Sequence, residues 1–341
     1  MVALPVSPDL TVPSAEADDT PLVWVLHDGK AGMASQALGL AEATGFRFVE
    51  KTLAVRAPWD WLPPQLWLAP LSAVSDRGLK LRQPWPDLVI GCGRNTAAPA
   101  LAIRAASGGR TIAAQVQDPG VGRNMFDLMV VPKHDRLRGP RVIVSKGAMH
   151  RVTPEKLAAA RQRFPELAAL PRPVIGVLIG GSNRAYRLTL DRLGGIADQI
   201  AACLRQTGGA AVVTPSRRTG AAGVALLRER LHDLPATVWD MTGENPYLAY
   251  LAVADAFLVT ADSVSMVSEA AATGKPVHII ELAGGDAKFA RFHAAMRDAG
   301  ITRPFTGRIE RWAYAPLDDT ARAGAALRGL VLERLAARRA A

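Results

Sequence analysis

Cysteine is nearly absent: the 341 residues include two, Cys92 and Cys203, far apart in the chain. Two such thiols make neither a disulfide framework nor a Cys/His metal spacing, so the chain reads as a protein of a reducing cytoplasm with no metal site. Aromatic side chains are sparse, at 6%, which leaves cores of Ala, Leu, Val and Ile. No apolar run reaches the roughly 18–20 residues of a membrane-spanning helix. The N-terminus lacks the basic stretch and apolar core of a secretory signal. No GxxxxGK[ST] phosphate loop occurs, and Gly91-Cys92-Gly93-Arg94-Asn95-Thr96 does not complete a GxGxxG fingerprint.

What is present is apolar and basic. Hydrophobic residues make up 49% and charged residues 21%, the balance of a globular chain rather than a disordered one. The length points to two domains. A net charge of +10 suits a phosphorylated small molecule, an anionic membrane or nucleic acid. Lys and Arg are scattered rather than gathered into a stripe and no nucleic-acid motif is present, so nucleic acid is not an expected partner.

Residues 1–20 mix Pro, Ser, Asp and Thr without period, as a flexible lead-in does. Short apolar runs then alternate with helical stretches. Strands are expected at Leu22–Leu26, Leu88–Ile90, Thr111–Val116, Leu128–Val131 and Val142–Val144, with helices at Ser35–Ala43 and Ala97–Ala106. Strands that are apolar throughout and separated by helices mark a parallel sheet covered on both faces. A helical stretch around Thr153–Leu170 leads into Pro171-Arg172-Pro173, a linker, and the pattern restarts with a strand at Val174–Ile179. The expected architecture is α/β with two Rossmann-like domains, 21–170 and 171–316, whose parallel sheets face a central cleft. A basic helix within 317–341 is expected to pack back across the domains.

The strongest chemical signal lies in residues 256–281. A buried strand ends at Thr260, and Ala261-Asp262-Ser263 leads into a helix whose free N–H groups, with the Ser263 and Ser265 hydroxyls, could seat a pyrophosphate. Glu269, further along that helix, could accept hydrogen bonds from both hydroxyls of a ribose. The bland alternative is a capped helix with a solvated glutamate. Val177–Asn183 is a strand followed by a Gly-rich turn, where Gly181 admits a phosphate and Ser182 and Asn183 add polar contacts. Arg217 and Arg218 follow another strand and could clamp a phosphate, or be a solvated pair. In the first half, Asp28 or His27 is placed to act as a base on an acceptor hydroxyl, with Asp118 and His134 as rivals. Each of these is also an ordinary turn or cap residue. Trp59, Trp61 and Trp67 fall within nine residues among prolines and leucines, a composition that suits a membrane interface or a loop plugged into the core.

The 256–281 segment resembles the donor-binding signature of GT-B glycosyltransferases and related nucleotide-sugar epimerases, in which the position of Glu269 binds the ribose. More of the chain resembles one family. Asp28–Gln36, GCGRNT at Gly91–Thr96, QDP at Gln117–Pro119, Val131–Asp135, Gly147–Thr153, Ile179–Gly181, TPSRRT at Thr214–Thr219 and Thr260–Ala270 are similar to motifs of the elongated-mitochondria fission-protein family, plant fission factors and their bacterial relatives. Met149 and Ala31 depart from its pattern and touch no expected donor contact.

The resemblance implies a GT-B fold. Its first functional implication is a metal-independent glycosyltransferase that uses a nucleotide-diphosphate sugar, UDP-linked, on a lipid-linked or envelope acceptor. No other cofactor is expected. Peripheral contact with an anionic membrane, at the inner face of the cytoplasmic membrane, goes with that reading. The alternatives are a recruitment scaffold that keeps the fold without catalysis, as the plant members imply, and a nucleotide-sugar epimerase.

Overall fold

The apolar pentad Val23–His27 forms strand β1, with every residue buried. In the computed structural model, which describes residues 20–340, β1 is an interior strand of the first of two parallel sheets. The lead-in at 1–20 falls, apart from Thr20, outside the described residues. The first sheet also contains β2 (Phe48–Val55), β3 (Val74–Asp76), β4 (Leu88–Cys92), β5 (Ile112–Val116), β6 (Leu128–Pro132) and β7 (Val142–Ser145). Its order is β3-β2-β1-β4-β5-β6-β7, parallel except for the antiparallel edge strand β3. Helices α1 (Ala31–Thr44), α2 (Pro70–Ala73) and α3 (Arg94–Ala106) connect these strands.

The second half begins with α4 (Pro154–Arg163), followed by β8 (Val174–Ile179), β9 (Tyr186–Arg187), α5 (Leu190–Thr207), β10 (Ala210–Pro215), α6 (Gly220–Leu231) and β11 (Ala236–Val238). Then come α7 (Tyr247–Val253), β12 (Ala256–Thr260), α8 (Val264–Ala271), β13 (Val277–Ile280), β14 (Ala283–Gly284), α9 (Ala287–Asp298) and β15 (Thr302–Pro304). The sheet order is β11-β10-β8-β12-β13-β15, with β14-β9 as a small separate ladder. Ala160 of α4 and Leu167 share a core with Val174, Val212, Ala249, Tyr250 and Val253, so the chain crosses between the sheets ahead of α4, before the Pro171-Arg172-Pro173 segment.

The last helix, α10 (Asp319–Arg339), returns to the first half. It buries Thr320, Ala323, Gly324, Leu327 and Val331, a stripe at helical spacing that packs on α1. Asp319 Oδ2 accepts from the backbone N–H of Lys146 at 2.7 Å, Arg328 donates to the Thr44 carbonyl at 2.8 Å, and Arg334 pairs with Asp127 at 3.3 Å. The halves also meet through α9: the His134 ring stacks edge-on to Phe292 at 5.5 Å, and Lys288 pairs with Asp135 at 2.7 Å.

Two tests follow from this packing. A Cβ on Gly324 would lie 2.4 Å from Ala43 Cβ and 2.6 Å from its backbone, whereas one on Gly329 of the same helix meets nothing within 4 Å. Gly324→Ala is expected to cost about 1–3 kcal/mol through overpacking, and Gly329→Ala to add about 0.5–1 kcal/mol through reduced backbone entropy. Thermal melting of both variants reads these opposite signs. The second test concerns pH. Burial depresses the imidazoles of His134 and His150 from the ordinary 6.5 to about 4. The folded protein therefore binds fewer protons than the unfolded chain between those values, so this stability is complete above about 6.5 and is lost as pH falls toward 4. Each residue accounts for about 3 kcal/mol of that loss. A melting-temperature series in acid should be flatter for His134→Gln and His150→Gln than for the wild type.

Candidate functional site

A parallel sheet covered by helices leaves its carboxyl edge and the loops that follow as accessible ground. In each half the chain moves outward through three strands, β1 to β3 and β8, β10, β11, then returns to the far side of the first strand as β4 or β12. The crevice at that reversal is where open α/β sheets bind ligands. In the second half, Ile179 stands opposite Pro215 and Leu178 opposite Val259. That register sets side by side the turns after β8, β10 and β12, which contain the Gly-rich segment, the Arg pair and the Ser-rich segment.

Ser263 caps α8 by accepting from the backbone N–H of Met266 at 3.3 Å. The amides of Val264 and Ser265, in the first turn, have no intrahelical acceptor, and the positive end of the helix dipole faces the crevice. The Ser265 hydroxyl comes against the first half: a Cβ on Gly32 of α1 would lie 3.5 Å from its Oγ. One turn on, Glu269 bridges the two halves. Its Oε1 accepts from Ser35 Oγ of α1 at 3.3 Å and its Oε2 from the Tyr247 hydroxyl at 2.5 Å. Burial pushes this carboxyl above the usual range, although both hydrogen bonds favour its charged form. Burial and then the neighbouring Glu269 push the Tyr247 hydroxyl well up, so it stays a donor. A carboxylate offers about four acceptor positions, and two remain for a vicinal diol.

The Gly-rich turn is filled from below. A Cβ on Gly180 would lie 2.1 Å from Asp262 Oδ2, and one on Gly181 would lie 2.5 Å from the Arg218 carbonyl carbon. Asp262 Oδ2 accepts from the Gly181 N–H at 3.0 Å and pairs with Arg218 at 2.6 Å, while Asp262 Oδ1 is buried without a partner. Ser182 Oγ accepts from Leu188 N–H at 3.0 Å. Asn183 Oδ1 accepts from the backbone N–H groups of Ala185 at 2.8 Å and Tyr186 at 2.9 Å. The side chains of Ser182 and Asn183 therefore brace the turn. Arg217 is exposed and takes part in no ion pair or hydrogen bond among the described residues.

In the first half, Leu26 stands opposite Gly91 and Cys92 opposite Val116, which places His27-Asp28, Gly93 and Gln117-Asp118 on one edge. His27 Nδ1 accepts from the Gly29 N–H at 3.1 Å, so Nε2 carries the proton and donates to Glu50 at 2.8 Å. Asp118 is gripped by the fork of Arg123 at 2.8 and 2.7 Å. Burial works upward on its carboxyl, but Arg123 and the Gly120 N–H hold it below the usual range. Gln117, in the left-handed region at φ 69, donates to Gln36 Oε1 at 3.1 Å; such strain in a non-glycine residue gathers at functional sites. Asp28 pairs with the Lys30 ammonium, whose side chain is 70% exposed, a partner that an incoming ligand can displace. His134 follows β6 on the same edge, but its ring is buried against Phe292 of α9. Ser35, Tyr247 and Asp262 were not among the residues expected from sequence. Each had a signal in its surroundings: Asp262 lies in the polar turn before α8, Ser35 in the Asp28–Gln36 motif, and Tyr247 at the end of the Met241–Tyr247 segment, which resembles the loop that flanks the nucleobase in GT-B proteins.

Residues 31–330 match the model of the family described as Mitochondrial fission ELM1. The mitochondrial fission protein ELM1 of Arabidopsis thaliana is 34% identical over 271 residues, covering 71% of this chain. The chain spans 63% of that relative's length. A protein of Rickettsia prowazekii is 26% identical over 351 residues, which is 87% of this chain and 95% of that protein. Among solved structures, UDP-GlcNAc 2-epimerase from Methanocaldococcus jannaschii superposes with a TM-score of 0.54 at 12% identity, covering 91% of this chain and 99% of that one. At that identity the likeness is one of fold, the GT-B arrangement of two Rossmann-like halves about a cleft. The turns that wall both crevices, Gly91–Thr96, Thr214–Thr219 and Thr260–Ala270, all lie inside the matched region, and the chain belongs to the mitochondrial fission ELM1 family.

Proposed function

We propose that the protein is a glycosyltransferase that takes a nucleotide-diphosphate sugar, UDP-linked, in the second-half crevice and transfers the sugar to a lipid-linked or envelope acceptor presented by the first half. The observation that carries this reading is the Glu269 carboxylate, held in the cleft with two acceptor positions free beside the open end of α8. Glu269 would take the ribose hydroxyls. The diphosphate would lie against the amides of Val264 and Ser265, the hydroxyls of Ser263 and Ser265, and Gly181 of the Gly-rich turn. Arg217 and Arg218 would supply positive charge as the diphosphate leaves, Arg218 exchanging Asp262 for a phosphate oxygen. Preorganised dipoles and guanidinium charge stabilise a leaving diphosphate without a metal ion. Among the described residues no three His, Cys, Asp or Glu side chains cluster as metal ligands.

For the acceptor side, Asp28 is the base this reading favours, because both nitrogens of His27 are engaged and Asp118 is locked by Arg123. The same observation supports a second reading. With each candidate base already paired, the protein could keep the fold and its nucleotide site as a recruitment scaffold, without transfer.

Calorimetric titration with UDP, UDP-N-acetylglucosamine, GDP and CMP tests the donor site. The proposal expects a uridine nucleotide to bind, and Glu269→Ala to weaken that binding about 30-fold or more, the worth of charge-assisted hydrogen bonds. Asp28→Asn should leave nucleotide affinity unchanged. If no nucleotide binds the folded wild type, the transferase reading fails.

A further inference from the structure

The segment after β2 plays no part in the cleft described above. Two short 3-10 turns, Trp59–Trp61 and Pro64–Leu66, fold around Trp67. Trp67 is buried, and its indole N–H donates to the carbonyls of Trp59 at 3.0 Å and Leu62 at 3.1 Å. One tryptophan is thus the plug that fixes the loop, and the loop displays another. Trp61 is 83% exposed, Leu68 93%, Leu66 56% and Leu62 40%. The carbonyls that hold Trp67 flank Trp61, and Leu68 follows Trp67 directly, so these apolar side chains project from one small knob.

A charged rim adjoins it. Arg56, at the base of the loop, donates from its backbone N–H to the Ala73 carbonyl at 2.8 Å and from its guanidinium to the Gly78 carbonyl at 3.0 Å. These bonds tie the turn after β3 to the loop. That turn exposes Leu79 to 73%. Arg77, Lys80 and Arg82 around it are exposed and take part in no ion pair among the described residues. Of the nearby acids, Asp76 is taken by Lys51 at 3.2 Å, and Asp60 lies within the loop itself.

We infer that this knob and rim form a docking surface for an anionic lipid membrane, with Trp61, Leu62, Leu66 and Leu68 entering the boundary between headgroups and acyl chains and Arg77, Lys80 and Arg82 meeting lipid phosphates. Amphipathic tryptophan at the depth of the headgroups, flanked by unpaired cations, is the chemistry of an interfacial anchor. Protruding side chains on a convex loop suit a deformable lipid layer, whereas a protein partner would need a matching socket for each. Among the described residues no helix is long and apolar enough to cross a membrane, so the contact is peripheral. The register of β2 with β1, Thr52 opposite His27, ends β2 on the edge that carries Asp28, so the docked protein turns the mouth of the first-half crevice toward the lipid. This inference stands apart from the donor reading, since neither the knob nor the rim contributes to the nucleotide crevice.

Co-sedimentation of the full chain with vesicles of phosphatidylglycerol and phosphatidylcholine, against vesicles of phosphatidylcholine alone, tests it. The wild type should bind the anionic vesicles and lose affinity as salt is raised. The double variant Trp61→Ser/Leu68→Ser, melting at the wild-type temperature, should bind about tenfold more weakly or worse. The double variant Arg77→Glu/Lys80→Glu should weaken binding to the anionic vesicles and lose the salt dependence, and it serves as the test if the first variant does not fold. Absence of wild-type binding, or equal binding by both variants, would overturn the proposal. So would lipid-free self-association that Trp61→Ser/Leu68→Ser abolishes, because it would assign the knob to a second copy of the chain.

Discussion

A parallel sheet can exist only if both its faces are covered, and that constraint decides where this protein can do chemistry. Each half spends its apolar side chains on strands such as β1, β8 and β12, whose residues are all buried. Helices seal the faces, and polar chemistry is confined to the loops at the carboxyl edges. The two sheets then present those edges to one another. The pairing depends on elements from far apart in the sequence: α10 returns to lie on α1, with Gly324 against the Ala43 backbone, and α9 meets His134. Small residues at such crossings permit a closeness that no larger side chain allows.

Within that frame the Glu269 carboxylate is a point at which the two halves meet. It is donated to from both halves, by Ser35 and by Tyr247, so its position reports on closure of the cleft as well as on its own helix. Asp262 has a comparable place under the Gly-rich turn. Its carboxylate fills the space beneath Gly180, accepts from the Gly181 N–H and pairs with Arg218. A phosphate arriving there would compete with Asp262 for the Gly181 N–H and the Arg218 guanidinium, so its binding would entail rearrangement of the turn.

What could be read in the sequence follows from how local its causes are. Strands buried on both faces are legible because nothing but apolar residues can fill them, and the Ser263 cap is legible because a helix start is a local event. Strand β2 was not anticipated. Its Glu50 and Lys51 interrupt the apolar run, and they are tolerated because Glu50 meets His27 while Lys51 pairs with Asp76 and lies 4.7 Å from the Trp24 ring. Helix α9 was missed for a similar reason: Lys288, Arg291 and Arg297 break up a segment whose Phe292 and Met296 are fully buried. At the site, Glu269 was legible as part of a local pattern. Its partners Ser35 and Tyr247 were not: Ser35, 234 residues away, reaches it only through the closure of the two halves, and Tyr247 reaches it from the start of another helix of the second half. In the Trp-rich segment, the structure puts Trp67 in the interior, as a loop plugged into the core would have it, and leaves Trp61 exposed.

The central claim is that the carboxyl edge of the second sheet is a nucleotide seat centred on Glu269. A crystal structure of the protein soaked with UDP addresses it most directly. The account predicts both ribose hydroxyls on the Glu269 carboxylate and the diphosphate against the first turn of α8, with Arg218 drawn from Asp262 toward a phosphate oxygen. A nucleotide bound elsewhere, or a crevice that stays empty at saturating UDP while Glu269 keeps its contacts to Ser35 and Tyr247, would contradict it.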